Sequence, residues 1–254
     1  MRFSWIACEP RCGNWITAVG LVTGETLKTF NDFAAGRDLA GATVVLDSGG
    51  GSVNDAIALG RRWRELGLRT TVGTSAVVTT AAGDRAAVLP EAYCESMLLS
   101  GKTRYVPERA HVRVHQIWMG DRAENARAAS YTAEDLTTVE RDIGRLAKYT
   151  FEMGGSGDLL HLALNIPPWE ALYELSPSEL RSTNLVTTDR IADVLPDGEV
   201  VEAPVADLVT KPVQDRFPGA TNAPAVVTMT GQPTKTAEAE PSGAAAVSTV
   251  PARQ

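Results

Sequence analysis

A run of three glycines stands between a strongly apolar segment and a predicted helix, in the sequence Ser48-Gly-Gly-Gly-Ser52. Such a turn leaves backbone N–H groups free at the positive end of the helix dipole, where they bind anions. The glycine spacing fits neither the Walker pattern nor the dinucleotide fingerprint, which leaves stabilisation of an oxyanion in acyl transfer as its chemistry. The alternative is a tight turn that packs closely against a sheet.

Histidine is the usual general base for a hydroxyl nucleophile near neutral pH, and the chain has three, His111, His115 and His161. The first two lie in a segment that alternates polar and apolar residues, on one face of a predicted strand and about 13 Å apart. This separation argues against a shared metal ion. Because no cluster of thiols or carboxylates supplies other ligands, we expect neither a metal nor a cofactor. A histidine in an apolar strand can equally be a core residue.

The segment Cys94-Glu-Ser-Met-Leu-Leu99 offers two nucleophiles. Ser96 would stand at the start of a short helix, where the alternative role of a serine is to cap that helix. Cys94 is the other nucleophile, although no cationic neighbour in the sequence lowers the pKa of its thiol. Residue type alone leaves these roles open.

The glycine turn belongs to a predicted unit of strand, helix and strand. Residues 15–22 and Thr43–Asp47 are predicted strands, and a helix joins them. Ser52 would cap the next helix, which ends at Gly67 before a strand over residues 70–73. Strands joined by a helix over so short a length form a right-handed crossover with parallel strands. The chain is therefore predicted to be an α/β domain.

Residues 75–95 are too many for a simple turn and are predicted to be a connection inserted beside the site. The elements predicted further along the chain are a half-buried strand over residues 110–117, a long helix from Thr132 to Gly154, a capped helix after Ser176, and a last strand over residues 184–195.

Composition excludes several functions. Hydrophobic residues make up 44% of the 254, which is enough for a sizeable core. The net charge of -7 is spread along the chain without a basic run, so nucleic acid is not expected as a partner.

From Pro212 the sequence is rich in Pro, Ala, Thr and Ser, and a disordered tail is predicted over residues 212–254. Residues 1–211 are then one folded domain.

The start of the chain bears on its compartment. No stretch of about 18 apolar residues predicts a membrane-spanning segment, and the first six residues give way to charge too soon for a signal peptide. As written, the chain is expected to be soluble and cytoplasmic, or periplasmic if an export signal is missing from its start. In an oxidising compartment Cys8 and Cys12 could close a disulfide loop, and otherwise they are two unrelated thiols.

Three segments, in this order, resemble the Clp protease proteolytic subunit and its crotonase-fold relatives. They are Leu46-Asp-Ser-Gly-Gly-Gly-Ser-Val53, Cys94-Glu-Ser-Met97, and Thr103-Arg-Tyr-Val-Pro107 leading to Val112-Arg-Val-His-Gln116. The resemblance is closest to the bacterial Clp-like proteins often described as predicted periplasmic proteins. It implies a spiral of ββα units in which the glycine turn faces the helix that carries the nucleophile. It also implies a homo-oligomer and a peptide or protein substrate.

The resemblance assigns roles to individual residues. Ser96 corresponds to the nucleophile of a serine peptidase and His115 to its general base. The N–H of Gly51, together with that of Gly50, and the N–H of Met97 correspond to the oxyanion hole. Each role suits the chemistry of the residue that would perform it.

The sequence also departs from the family pattern. Only about twenty residues separate Ser96 from His115, roughly one helical turn fewer than usual, so the helix after the nucleophile must be short. No aspartate stands where the acidic member of the triad belongs, and Glu170 is the predicted substitute. No signature for docking to a chaperone is visible.

Four hypotheses follow for the function. The leading one is a Clp-like serine hydrolase, a peptidase that acts through an acyl-enzyme. A catalytically inactive scaffold of the same fold, binding a peptide or a partner protein, is the main alternative because of the short spacing and the missing aspartate. A crotonase-type acyl-CoA enzyme could use Glu95 as acid or base, but no adenine-binding segment is visible. The fourth is a structural module without a small-molecule site.

Overall fold

The computed structural model describes residues 1–7, 14–80, 83–90, 92–94, 97–120, 125–127, 130–195 and 210–211. The predicted tail over residues 212–254, the pair Cys8 and Cys12, and the predicted nucleophile Ser96 with its neighbour Glu95 lie outside the described residues. The predictions for these segments therefore stay predictions.

The chain alternates strands and helices. The strands are β1 (Arg2–Ile6), β2 (Trp15–Val19), β3 (Thr43–Asp47), β4 (Arg69–Val72), β5 (Thr74–Thr80), β6 (Gly83–Leu89), β7 (Tyr93–Cys94), β8 (Arg104–Tyr105), β9 (His111–Val114), β10 (Tyr173–Glu174) and β11 (Thr210–Lys211). The helices are α1 (Thr26–Ala34), α2 (Val53–Glu65), α3 (Ala133–Glu152), α4 (Gly157–Leu164) and α5 (Pro177–Ser182), with short 3₁₀ helices at Met97–Ser100 and Ile191–Asp193.

The central sheet has the order β1-β2-β3-β4-β8. β1 pairs antiparallel with β2, whereas β2, β3, β4 and β8 run parallel. Successive residues of β3, Val44, Val45 and Leu46, are all almost fully buried, as expected of a parallel strand covered on both faces. The predicted α/β class and the parallel crossover over β3, α2 and β4 are confirmed.

Helices α1 and α2 cover one face of this sheet. Phe30 of α1 and Trp63 of α2 are both fully buried, and their rings meet edge to face with centroids 5.8 Å apart. The Ser52 side chain accepts a hydrogen bond from the Asp55 N–H and so caps α2, as predicted. Gly67 follows the helix with a φ of 66°, the left-handed conformation that ends many helices.

The prediction of a connection over residues 75–95 is wrong, because most of this segment forms a hairpin. β5 and β6 pair antiparallel from Thr74 opposite Leu89 to Thr80 opposite Gly83. The hairpin packs closely on the central sheet at Gly73, where a Cβ would lie only 2.5 Å from Val88 Cγ1. Small residues such as Ala76 and Ala87 weaken the alternating pattern in the sequence, so the strands were not apparent.

Two other strand predictions need correction. The strand predicted over residues 110–117 ends earlier, at Val114, so His111 lies in β9 and His115 lies just beyond it. The strand predicted over residues 184–195 is wrong, since the chain turns there and forms the 3₁₀ helix Ile191–Asp193. Thr188 and Arg190 both donate hydrogen bonds to the Asp193 carboxylate, which closes a local turn instead of extending the backbone.

The helices of the second half of the domain follow the predictions. Thr132 and Asp135 form a capping box at the start of α3, and Ser176 and Glu179 form another at the start of α5. α3 ends before Gly154, which has a φ of 76°. No helix in the described part of the chain is long and apolar enough to span a membrane.

The contact between α2 and α3 gives a first testable prediction. A Cβ at Gly60 in α2 would lie 2.0 Å from the Tyr149 hydroxyl, so Gly60→Ala should force the helices apart and lower the free energy of unfolding by about 1–3 kcal/mol. Gly144→Ala in α3 is the matched control, because nothing lies within 4 Å of its Cβ, and alanine should stabilise that exposed helix position by up to about 1 kcal/mol. Urea denaturation measures the free energy of unfolding of both variants. Equal values for Gly60→Ala and Gly144→Ala would contradict the close packing of Gly60 against Tyr149.

Candidate active site

The glycine turn is held on both sides by one residue of the preceding loop. The Val22 N–H donates to the Gly50 carbonyl over 2.8 Å, and the Ser52 N–H donates to the Val22 carbonyl over 2.9 Å. Gly51 lies between these bonds with a φ of 132°, and a Cβ there would lie 2.1 Å from the Val22 oxygen. Only glycine fits at residue 51, because any side chain would overlap the backbone of Val22.

The two N–H groups predicted for the oxyanion hole differ in their bonding. The Gly50 N–H donates to the Ser48 hydroxyl over 3.3 Å. The Gly51 N–H belongs to the same trans peptide as the Gly50 carbonyl, so it points away from Val22. Among the described residues it has no acceptor. The donor of Gly50 is therefore used within the turn, whereas that of Gly51 is not used by any described residue.

The 3₁₀ helix Met97–Ser100, called the 97–100 helix below, contacts α2 and β4. Met97, its first residue, directly follows the predicted nucleophile and is 1% exposed. Its N–H has no acceptor among the described residues, as is usual at a helix N-terminus. The helix has a single turn, which confirms that the segment after residue 96 is short.

An apolar cavity of about 80 Å³ joins the three segments that the sequence singled out. Val53, two residues after Gly51, lines it together with Leu98 of the 97–100 helix and His115. The other walls come mainly from α3 and α4 and include Leu146, Tyr149, Leu159 and Leu160. The start of α2, which directly follows the glycine turn, thus meets the 97–100 helix and His115 at one cavity, although the three lie far apart in the sequence.

His115 is half-buried at this cavity, and its Nδ1 is shielded from solvent. Burial disfavours the charged ring and lowers the pKa of His115 below its usual 6.5, an effect that a hydrogen bond with the Gln116 backbone partly offsets. The imidazole is therefore mainly neutral at pH 7. A neutral ring is the form that a general base requires.

The other candidate side chains lie elsewhere. Glu170 is exposed and does not line the cavity, and its carboxylate forms no hydrogen bond or ion pair with a described residue. His111 forms a hydrogen bond with Glu174 on the surface, with 2.7 Å between Nδ1 and Oε1. His161 is exposed on α4 beside Asn165. Within the described residues, no three His, Cys, Asp or Glu side chains cluster as a metal site would require.

Two arginines beneath the 97–100 helix were missed in the sequence analysis. Arg104 of β8 is 2% exposed, and burial lowers its pKa to about 10. Arg64 of α2 is half-buried, and burial lowers its pKa too. Every hydrogen-bond partner of both guanidinium groups in the described structure is a backbone carbonyl. No local sequence pattern marks such contacts, because the carbonyls come from distant segments.

No protein-family model and no curated protein sequence matches the chain. Among solved structures, the chain is similar to the crystal structure of the ClpP protease catalytic domain from Plasmodium falciparum, with 12% sequence identity and a TM-score of 0.41. The similarity covers 67% of this chain and 80% of that chain. At this TM-score the similarity carries no argument about the site or the activity.

Proposed function

We propose that the chain is a Clp-like serine hydrolase, a peptidase that acts through an acyl-enzyme on Ser96. One observation carries the proposal: Val53, two residues after Gly51, lines a single cavity together with the 97–100 helix and His115. N–H groups at Gly51 and Met97 that have no acceptor among the described residues, together with a neutral histidine, are the groups that acyl transfer needs around a nucleophile.

In the proposed first step, His115 accepts the proton of the Ser96 hydroxyl while Oγ attacks the substrate carbonyl carbon. The oxyanion that forms accepts hydrogen bonds from the N–H groups of Gly51 and Met97. The protonated His115 then donates its proton to the leaving amine, the C–N bond breaks, and the acyl group remains as an ester of Ser96. Water deprotonated by His115 hydrolyses this ester and restores the serine hydroxyl.

The predicted roles of Gly50 in the oxyanion hole and of Glu170 as the acidic residue have less structural support than those of Gly51 and His115. Because the Gly50 N–H donates to Ser48, we assign Gly50 the role of shaping the turn and leave the oxyanion contact to Gly51. Glu170 stays a prediction as the acidic partner of His115. A bond from the Gln116 N–H to the Ile166 carbonyl over 2.9 Å joins its segment to the residue after His115, which is consistent with this role.

The cavity favours a substrate with an apolar side chain next to the reacting carbonyl. Its walls include Leu98, Ile117, Leu146 and Leu160, and these side chains offer no hydrogen bonds to a polar group. A peptide or protein supplies such side chains beside a scissile amide. We therefore propose a peptide or protein substrate and, by family resemblance, a homo-oligomer.

Labelling with a fluorophosphonate probe tests the proposal. An activated serine forms one covalent adduct with the probe, which intact-mass measurement detects. We expect one adduct on the wild type, none on Ser96→Ala, and a labelling rate on His115→Ala that is lower by on the order of 100-fold or more, because the general base is lost. Circular dichroism shows whether each variant is folded.

Matched variants make this experiment specific. His111→Ala removes a surface histidine of the same segment, Cys94→Ala removes the alternative nucleophile, and Ser182→Ala removes an exposed serine of α5. All three should label like the wild type. A folded wild type that does not label would leave the inactive scaffold as the better hypothesis, and loss of labelling on Cys94→Ala alone would assign the chemistry to the thiol.

A further inference from the structure

The backbone carbonyls of residues 97–101 share an unusual bonding pattern. All five residues are buried, and each carbonyl accepts a hydrogen bond from a side chain. The bonds run from Ser100 Oγ to Met97 O (2.6 Å), from Thr70 Oγ1 to Leu98 O (2.7 Å), from Arg64 Nη2 to Leu99 O (2.8 Å), from Arg64 Nε to Ser100 O (3.1 Å) and from Arg104 Nη1 to Gly101 O (2.9 Å).

The two arginines also tie this segment to the end of α3. Arg64 Nη2 and Arg104 Nη1 both donate to the Met153 carbonyl, over 3.0 and 3.3 Å. Arg104 further donates to the carbonyls of Asn184, over 2.7 Å, and Leu185, over 3.2 Å. One buried guanidinium therefore joins three segments that are distant in the sequence.

The short length of the 97–100 helix explains why these side chains are needed. In a longer α-helix, each of these carbonyls would accept from the N–H four residues further on. Here the chain leaves the helix after Ser100 and continues into β8, so most of these buried acceptors lack the usual partner. Guanidinium groups supply donors in their place, and their positive charge lies at the negative end of the helix.

We propose that Arg64 and Arg104 are positioning residues for acyl transfer, which hold the 97–100 helix at a fixed place relative to Gly51 and His115. The inference rests on the proposed function. The Met97 N–H begins this helix, and the predicted nucleophile comes directly before it. Since a displacement of about 1 Å within such a site can lower a rate by about 100-fold, contacts that fix the helix act on the rate of acylation.

Arg64→Lys is the main test, because Arg64 is half-buried and the variant keeps the positive charge. A lysine ammonium cannot span the carbonyls of Leu99 and Ser100 as the guanidinium fork does. We expect the fluorophosphonate labelling rate at saturation to fall about 10- to 100-fold, while the probe concentration for half-saturation and the pH midpoint of labelling stay unchanged.

Two further measurements separate positioning from stability. Arg61→Lys is the matched control on the same helix, since Arg61 pairs with Glu152 on the surface, and it should label like the wild type. Arg64→Ala should recover labelling when millimolar guanidinium ion is added, because the free cation can occupy the vacated site. A folded Arg64→Lys that labels at the wild-type rate would overturn the proposal.

Amide hydrogen exchange does not require catalytic activity, so it tests the positioning role separately from the proposed hydrolase function. Amide hydrogen exchange over residues 97–101 should be faster in Arg64→Lys than in Arg61→Lys under conditions where both are folded. If the wild type does not label at all, the hydrolase proposal fails and exchange alone decides whether the arginines fix the helix. Equal exchange in the two variants would refute the positioning role.

Discussion

Gly51→Ala is expected to lower fluorophosphonate labelling by about 100-fold or more, the effect of losing one oxyanion donor. At this residue φ is 132°, and an added Cβ would lie 2.1 Å from the Val22 oxygen, so the alanine variant must move the turn. Such a movement turns the Gly51 N–H away from the oxyanion position. It also strains the backbone, so the free energy of unfolding should fall by about 1–3 kcal/mol.

Gly49→Ala is the control within the same turn. Its Cβ would meet only Leu21 Cδ2, at an ordinary contact distance of 3.7 Å, and its φ is not positive. We expect this variant to label close to the wild-type rate. Labelling rates are compared below the unfolding temperature of each variant. If folded Gly51→Ala labels as fast as Gly49→Ala, the turn does not stabilise the transition state.

The elements predicted correctly from the sequence are those with local signals. α2 has a serine cap, a helical apolar stripe that places Trp63 in the core, and a glycine in the left-handed conformation at its end. β3 is a continuous apolar run before the glycine turn, and its predicted bounds, Thr43–Asp47, are those of the structure. Such elements carry their pattern, cap and terminator within a few residues, so no tertiary contact has to be known.

The missed elements depend on distant contacts. The hairpin β5–β6 packs against the sheet at Gly73, next to Val88 and Leu89. Nothing between residues 75 and 95 alone indicates that contact. The strand predicted near the end of the domain failed for the opposite reason, since the local bonds of Asp193 with Thr188 and Arg190 override an apolar pattern.

The residues of the candidate site likewise differ in whether a local sequence signal indicates them. The sequence singled out the segments that carry Val53, the 97–100 helix and His115, which line one cavity, because each of these segments contains a recognisable residue type. It did not identify Arg64 and Arg104, whose roles follow from carbonyls in segments far along the chain. The spacing between Ser96 and His115 is short because the helix after Ser96 has only one turn. Side chains bind the carbonyls of this helix in place of further helical turns.

The pH dependence of labelling tests the environment of His115 directly. Burial lowers the pKa of this histidine below 6.5, so its neutral form is favoured in the folded protein. Labelling needs the neutral ring. The rate should therefore be constant from neutral pH upward, reach half its maximum below pH 6.5, and fall about tenfold for each further pH unit.

Acid unfolding has to be separated from this titration. Because the folded pKa is lowered, His115 contributes stability that is present above its unfolded pKa of about 6.5 and is lost as pH falls through the folded pKa. Circular dichroism at each pH, together with recovery of the rate on return to pH 7, shows that the protein remains folded. His111→Ala should leave the midpoint unchanged, because that ring lies on the surface beside Glu174. A midpoint at or above pH 6.5 would mean that the catalytic base is a solvated group, and the assignment of the buried His115 would fail.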